Sequence, residues 1–274
     1  MPEAAAQRIL STAQFQKFAL AAALITLGFA IPLWRLLWFA SRDELFSYIP
    51  LMPLVSTYLA WTEKSGLPRH SPPAHKLGTF FFIAGAAAVG GYLMLTRPGT
   101  MAPLEDSLSL ATLGWLLCLT GAGCWFLGGA VMRALAFPFA LLVFMIPLPV
   151  FIRDGIETAL QHGSAVVAAW MFTLWGTPFL QDGMVFNLPG FSLEVAPECS
   201  GIHSTWILFI TSLVAGYLIL RRPWKRAVLC LAVIPLALLR NGFRVFVIGE
   251  LCVHVSPRMI DSPIHHHGGP LFFV

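Results

Sequence analysis

Leu193-Glu-Val-Ala-Pro-Glu-Cys-Ser-Gly-Ile-His-Ser204, followed without a break by the apolar run Thr205 to Leu220 and then by Arg221-Arg222-Pro223-Trp224-Lys225-Arg226, decides how this chain is read. The apolar run is long enough to enter a bilayer, whose hydrocarbon core takes about 20 residues of helix. Four basic residues between two apolar runs place the short loop on the cytoplasmic face. The flanking segments then form a helical pair with both distal ends on the outer face. Counted from the middle of the loop, Cys199 lies about 24 residues up one arm and Arg244 about 20 up the other, so at ~1.5 Å per residue they differ in depth by roughly one helical turn. After a polar turn at Ser256 to Pro263, His265 begins the return toward the membrane. Thiol, guanidinium and imidazole are therefore expected at one level on one side.

Composition supports the membrane reading. Hydrophobic residues make up 57% and charged residues 11%, with mean hydropathy +0.76 and 22 Phe, whereas charged residues form about a quarter of a soluble domain. The bilayer is the expected partner. A net charge of +4 carries no argument for nucleic acid in such a chain, and no nucleic-acid partner is expected. Five cysteines without paired spacing give neither a disulfide framework nor a Cys-x-x-Cys site. Cys118, Cys124, Cys230 and Cys252 lie in apolar surroundings and read as packing residues. The first apolar run is long enough to stay as an anchor, and no cleaved leader is expected.

The apolar pattern predicts an all-α, polytopic helix bundle of about eight spans, one integral-membrane domain over residues 1–274. Expected spans cover Phe18 to Phe39, Leu45 to Trp61 and Leu77 to Leu95. Two more are expected from Leu108 to Val150, broken near Arg133 and ending at Pro147-Leu148-Pro149. Thr62 to Lys76, with Lys64, Arg69 and Lys76 among prolines, reads as a cytoplasmic connector. Phe151 to Leu180 either lies along the interface or crosses the membrane. Gln181 to Ala196 alternates apolar and polar residues around Asn187-Leu188-Pro189-Gly190, which predicts a short extracytoplasmic hairpin leading into Cys199.

A cysteine at the mouth of a membrane helix has two readings. The positive end of the helix dipole and nearby water favour a thiolate, but a small cysteine also simply packs. Arg240 and Arg244 share one helix face, with Asn241 beside them. Both either snorkel or pair with Glu250 or Asp261, or Arg244, level with Cys199, lowers the thiol pKa or holds an oxyanion. Three consecutive histidines, His265, His266 and His267, cannot converge on one ion from a helix, and only distant Asp261 accompanies them, so no metal and no cofactor are expected. One of them as acid or base for a thiol is the better chemical idea. His203 is either a further base or a cap on the helix start.

Taken together, Cys199-Ser200-Gly201-Ile202, Asn241-Gly242-Phe243-Arg244 and His265 followed by Gly269 and Phe273 resemble the three signature blocks of the exosortase/archaeosortase family. These are integral-membrane cysteine transpeptidases that process proteins with a C-terminal PEP-like sorting signal. Phe137-Pro138 to Pro149, Leu188 to Val195 and Asp43 to Pro53 are similar as well, although the last lacks the expected histidine. The resemblance implies that Cys199 is the nucleophile, Arg244 the stabiliser of substrate or transition state, and His265 the acid/base, since only His265 keeps the spacing to both Gly269 and Phe273. Glu198, Ser200, Gly201, Asn241 and Arg240 would support them. It further implies membrane-anchored protein substrates, a plasma (inner) membrane location with the site facing outward, and a last span cut short at Val274. A different class of function is a non-enzymatic transporter or scaffold for surface polysaccharide export, with Arg240, Arg244 and the histidines binding an anion. The sequence shows neither the internal repeat nor the paired broken helices that transporters tend to carry. An intramembrane protease that only hydrolyses is a third reading.

Overall fold

The computed structural model describes residues 12–68, 71–195 and 200–255. Its helices are α1 (Thr12–Gly28), α2 (Ala30–Ala40), α3 (Met52–Thr62), α4 (His75–Leu95), α5 (Leu104–Phe126), α6 (Gly129–Ala134), α7 (Ala136–Leu141), α8 (Val150–Trp175), α9 (Ile202–Ile219) and α10 (Pro223–His254). A small antiparallel sheet, β1 (Leu180–Asp182), β2 (Val185–Leu188) and β3 (Phe191–Glu194), lies between α8 and α9 in sequence. The chain is thus a mostly helical, polytopic membrane protein.

The described residues do not account for all of the expected eight spans. Among the described residues, four helices are long and apolar enough to cross a membrane, namely α4, α5, α9 and α10, and the number rises to six if each of two sharply bent helix pairs is one span. Prolines account for much of the difference. The run expected to cross from Phe18 to Phe39 turns by 70° between α1 and α2, where Pro32 has no N–H to donate to the carbonyl of Gly28. Between Leu45 and Trp61, Pro50 lies in a 3-10 turn and Pro53 opens α3, whose 11 residues extend only about 16 Å. Beyond α5, Gly128 takes a left-handed φ of 86° and the chain continues as two six-residue helices and a 3-10 turn rather than a second span.

The chain forms two compact units, Met1–Val150 and Phe151–Val274. In the first, α5 is the buried centre, and glycines weld it to α4. A Cβ at Gly78 would stand 3.1 Å from the carbonyl oxygen of Gly121, and one at Gly121 3.2 Å from that of Gly78. Gly85 and Gly114 repeat the reciprocal contact at 3.3 Å. Seven residues, two turns, separate the contacts on each helix, so the antiparallel backbones touch along one stripe of small residues, as lipid-embedded helices do when apolar burial cannot drive them together.

In the second unit, the basic turn joins α9 to α10. Pro223 occupies the first helical turn of α10, where its missing N–H costs nothing. Arg226 returns to cap α9, its Nε donating to the carbonyl of Leu220 at 2.8 Å and its guanidinium lying over the Tyr217 ring. The sheet has one strand more than the expected hairpin. Gly183 (φ 59°) turns β1 into β2 and Gly190 (φ 91°) turns β2 into β3. Alternation buries Phe186, Leu188 and Leu193 and exposes Asn187, Ser192 and Glu194. The buried face packs with Ala165, Ala168 and Phe172 of α8 and with Val245, Ile248 and Cys252 of α10. Gly249 admits the Phe172 ring, which would lie 2.5 Å from an added Cβ.

Candidate active site

Three polar side chains hold the chain on both sides of residues 196–199. Before them, the Val195 N–H donates to Met184 at 2.9 Å, and Gln161 Nε2 donates to the Val195 carbonyl at 3.4 Å. After them, Asn241 Nδ2 donates to the Ser200 carbonyl at 2.5 Å, and Ser200 Oγ donates to Glu157 Oε1 at 3.4 Å. Glu157 and Gln161 are one turn apart on α8, hence on one face. Val195, Ser200, Gln161 and Asn241 are all buried. Inside an apolar bundle a buried amide is stable only when its groups are satisfied, and here they bond the backbone of Val195 and Ser200, on either side of residues 196–199.

Gly201 makes this possible. It is the N-cap of α9 with φ 65°, a left-handed conformation that side chains disfavour, and an added Cβ would lie 2.3 Å from Asn241 Nδ2. Its carbonyl accepts from the Thr205 N–H at 3.0 Å, Thr205 Oγ1 at 2.8 Å and Ser204 Oγ at 3.0 Å. Gly242, next to Asn241, lets α10 close on α8, because a Cβ there would meet Val167 at 2.5 Å and the Ser164 carbonyl at 3.0 Å. The first turn of α9 therefore presents backbone N–H groups directly after Gly201, the positive end of a helix of 18 residues.

Of the residues singled out from sequence, Ser200, Gly201 and Asn241 are brought together. Arg240 and Arg244 lie on the same stretch of α10, and Arg244 is about 4.5 Å further along the helix axis than Asn241. Cys199, Glu198, Asp261, His265, His266 and His267 lie outside the described residues. Glu250, considered as a partner for the arginines, is instead bound by the Thr177 hydroxyl and by His254, whose Nε2 is 3.1 Å from its Oε2. His203 does not cap the helix through Nε2, which is buried without a hydrogen-bond partner among the described residues. Glu157 and Gln161 were the members of the site that sequence reasoning missed as a pair. Their signal was a polar stripe at Glu157, Gln161 and Ser164, four and three residues apart, on a helix that also carries Arg153, Asp154, Thr158 and His162.

The sequence was compared with known proteins. No curated protein and no solved structure matches it. A family model described as transmembrane exosortase matches residues 38–274, a stretch that contains α3 to α10, the clamped loop and all three of the Cys, Asn-x-x-Arg and His blocks. This chain belongs to the transmembrane exosortase family.

Proposed function

We propose that the protein is a membrane cysteine peptidase and transpeptidase that cleaves the C-terminal sorting signal of surface-targeted proteins at the outer face of the plasma membrane. Cys199 is the nucleophile, Arg244 steadies the developing oxyanion, and His265 is the acid/base. The observation that carries this reading is the clamp: Gln161 on one flank, Asn241 and Glu157 on the other, hold the ends of the loop that carries Cys199. A nucleophile gains most from being held where a substrate carbonyl arrives. The N-terminus of α9 and a nearby guanidinium favour the thiolate over the thiol.

The thiolate adds to the scissile carbonyl, and the oxyanion that forms is held by Arg244 and backbone N–H groups of the first turn of α9. The C–N bond then breaks, the amine leaving with a proton from the His265 imidazolium, and the substrate remains as a thioester on Cys199. An amine on an acceptor, or water, attacks the thioester, gives its proton back to His265 and regenerates the thiolate. The protein substrate carries a C-terminal membrane helix that ends in the released fragment. Cys199→Ala tests the proposal: the full-length target should persist, with no shortened form by mass analysis of its C-terminus. A target shortened at an unchanged rate in that variant refutes the assignment. In the active protein, the mass at the new C-terminus separates transfer to an amine from hydrolysis.

A further inference from the structure

The first unit contains a cleft of about 620 Å³ that the chemistry of the second unit does not use. One wall is α1, through Phe15, Phe18, Ala22 and Thr26, and the opposite wall is α3, through Ser56, Thr57 and Ala60. Both sets recur at three- and four-residue intervals, so each is one helix face. From Phe15 to Thr26 the cleft follows α1 for about 16 Å, close to half of the ~30 Å hydrocarbon core.

The polar groups along this wall are already spent. Ser56 Oγ donates to the Pro138 carbonyl at 2.7 Å, Thr57 Oγ1 to that of Pro53 at 2.7 Å, and Thr26 Oγ1 accepts from Trp115 Nε1 at 3.2 Å. Among the described residues, only Lys64, at the end where α3 stops, presents a charge to the cleft. Its ammonium stands over the Trp61 ring at 4.2 Å, and its three donors exceed what one ring face can engage. A fitting occupant is therefore apolar for the depth of one leaflet and anionic at one end. Lys64 opens the basic connector that the charge bias assigns to the cytoplasmic face, where anionic lipids concentrate.

We infer that the cleft holds an acyl chain of an anionic phospholipid, with its phosphate paired to Lys64. The test uses the full chain, purified in mild detergent after exposure to vesicles of equal parts phosphatidylglycerol and phosphatidylcholine, with bound lipid measured by mass spectrometry. Phosphatidylglycerol should be retained in excess over phosphatidylcholine. Lys64→Gln should cut that excess roughly fivefold, the worth of one basic residue near an anionic surface. Thr57→Trp should block the cleft and lower retention of both lipids, and Ala60→Phe, one turn on, gives the same block if the first variant does not fold. Equal retention of the two lipids by the unaltered protein, undiminished retention in the folded blocking variant, or a copurifying peptide in place of lipid would overturn the inference.

Discussion

Glycines bring helices into contact in both units, and what fills the space they leave differs. Along α4 and α5 the gaps left by Gly78, Gly85, Gly114 and Gly121 are filled by opposing backbone carbonyls together with side chains that form no hydrogen bond there, such as Cys118 at Gly85 and Val89 at Gly114. At the start of α9 the gap left by Gly201 is filled by the amide of Asn241, which bonds the Ser200 carbonyl. The first contact depends on volume alone, and the second depends on volume and on a donor. A stripe of small residues is therefore a fastening where it is met by backbone and apolar groups, and part of a site where a hydrogen-bonding side chain enters. Substitutions that change bulk should separate from those that change hydrogen bonding.

The largest effect is expected from bulk in the first unit. A Cβ at Gly121 already lies 3.2 Å from the Gly78 carbonyl and 3.3 Å from the Phe82 ring, so Gly121→Leu must drive α4 and α5 apart. Overpacking of this kind costs about 1–3 kcal/mol and sometimes more. The folded yield and the thermal midpoint in detergent should fall, while processing per folded molecule stays at the level of the unaltered protein. An unchanged midpoint would break the comparison, since the contact would then not be a fastening.

Asn241→Leu keeps the same number of side-chain heavy atoms, branched at the same position, and removes the donor. The Ser200 carbonyl loses its amide partner in a buried setting, a cost of about 1–3 kcal/mol, at the residue after the proposed nucleophile. Alkylation of Cys199 by a small haloacetamide and processing of the target should both drop by about tenfold per folded molecule, the equivalent of ~1.4 kcal/mol. If both rates merely follow the folded fraction, Asn241 is packing and the contrast with Gly121 disappears.

What the sequence disclosed follows from how local its signals are. The α9–α10 hairpin was legible because Arg221, Arg222, Lys225 and Arg226 mark one face of the membrane and Pro223 starts a helix. Counting residues along that hairpin put Cys199 level with Arg244, and Cys199 lies outside the described residues. The third strand was also within reach, since a glycine at the first of two turn residues, as in Gly183-Met184, is a hairpin signal. The breaks at Pro32 and Pro53 were harder, because hydropathy sums over a window and ignores whether each proline's turn closes. Gln161 reaching Val195 was not legible at all. It joins residues 34 apart through a turn of the sheet, and no periodicity within α8 distinguishes a polar stripe that binds backbone from one that meets water.

The smallest predicted effect sharpens the role of that stripe. At 3.4 Å the bond from Ser200 Oγ to Glu157 is long, and a carboxylate there is an acceptor only. Glu157→Gln keeps an acceptor oxygen and loses the charge, which about halves the strength of such a bond. On positioning alone, processing should slow by about threefold, less than 1 kcal/mol. The lost negative charge works in the opposite sense on the thiol, because an anion nearby disfavours a thiolate. The two effects separate in the pH profile of Cys199 alkylation: in the glutamine variant the midpoint should move to lower pH while the plateau rate declines. A midpoint that rises, or a plateau that increases, would mean that Glu157 neither faces the nucleophile nor holds its loop, leaving the donor of Asn241 as the feature that distinguishes the second unit from the first.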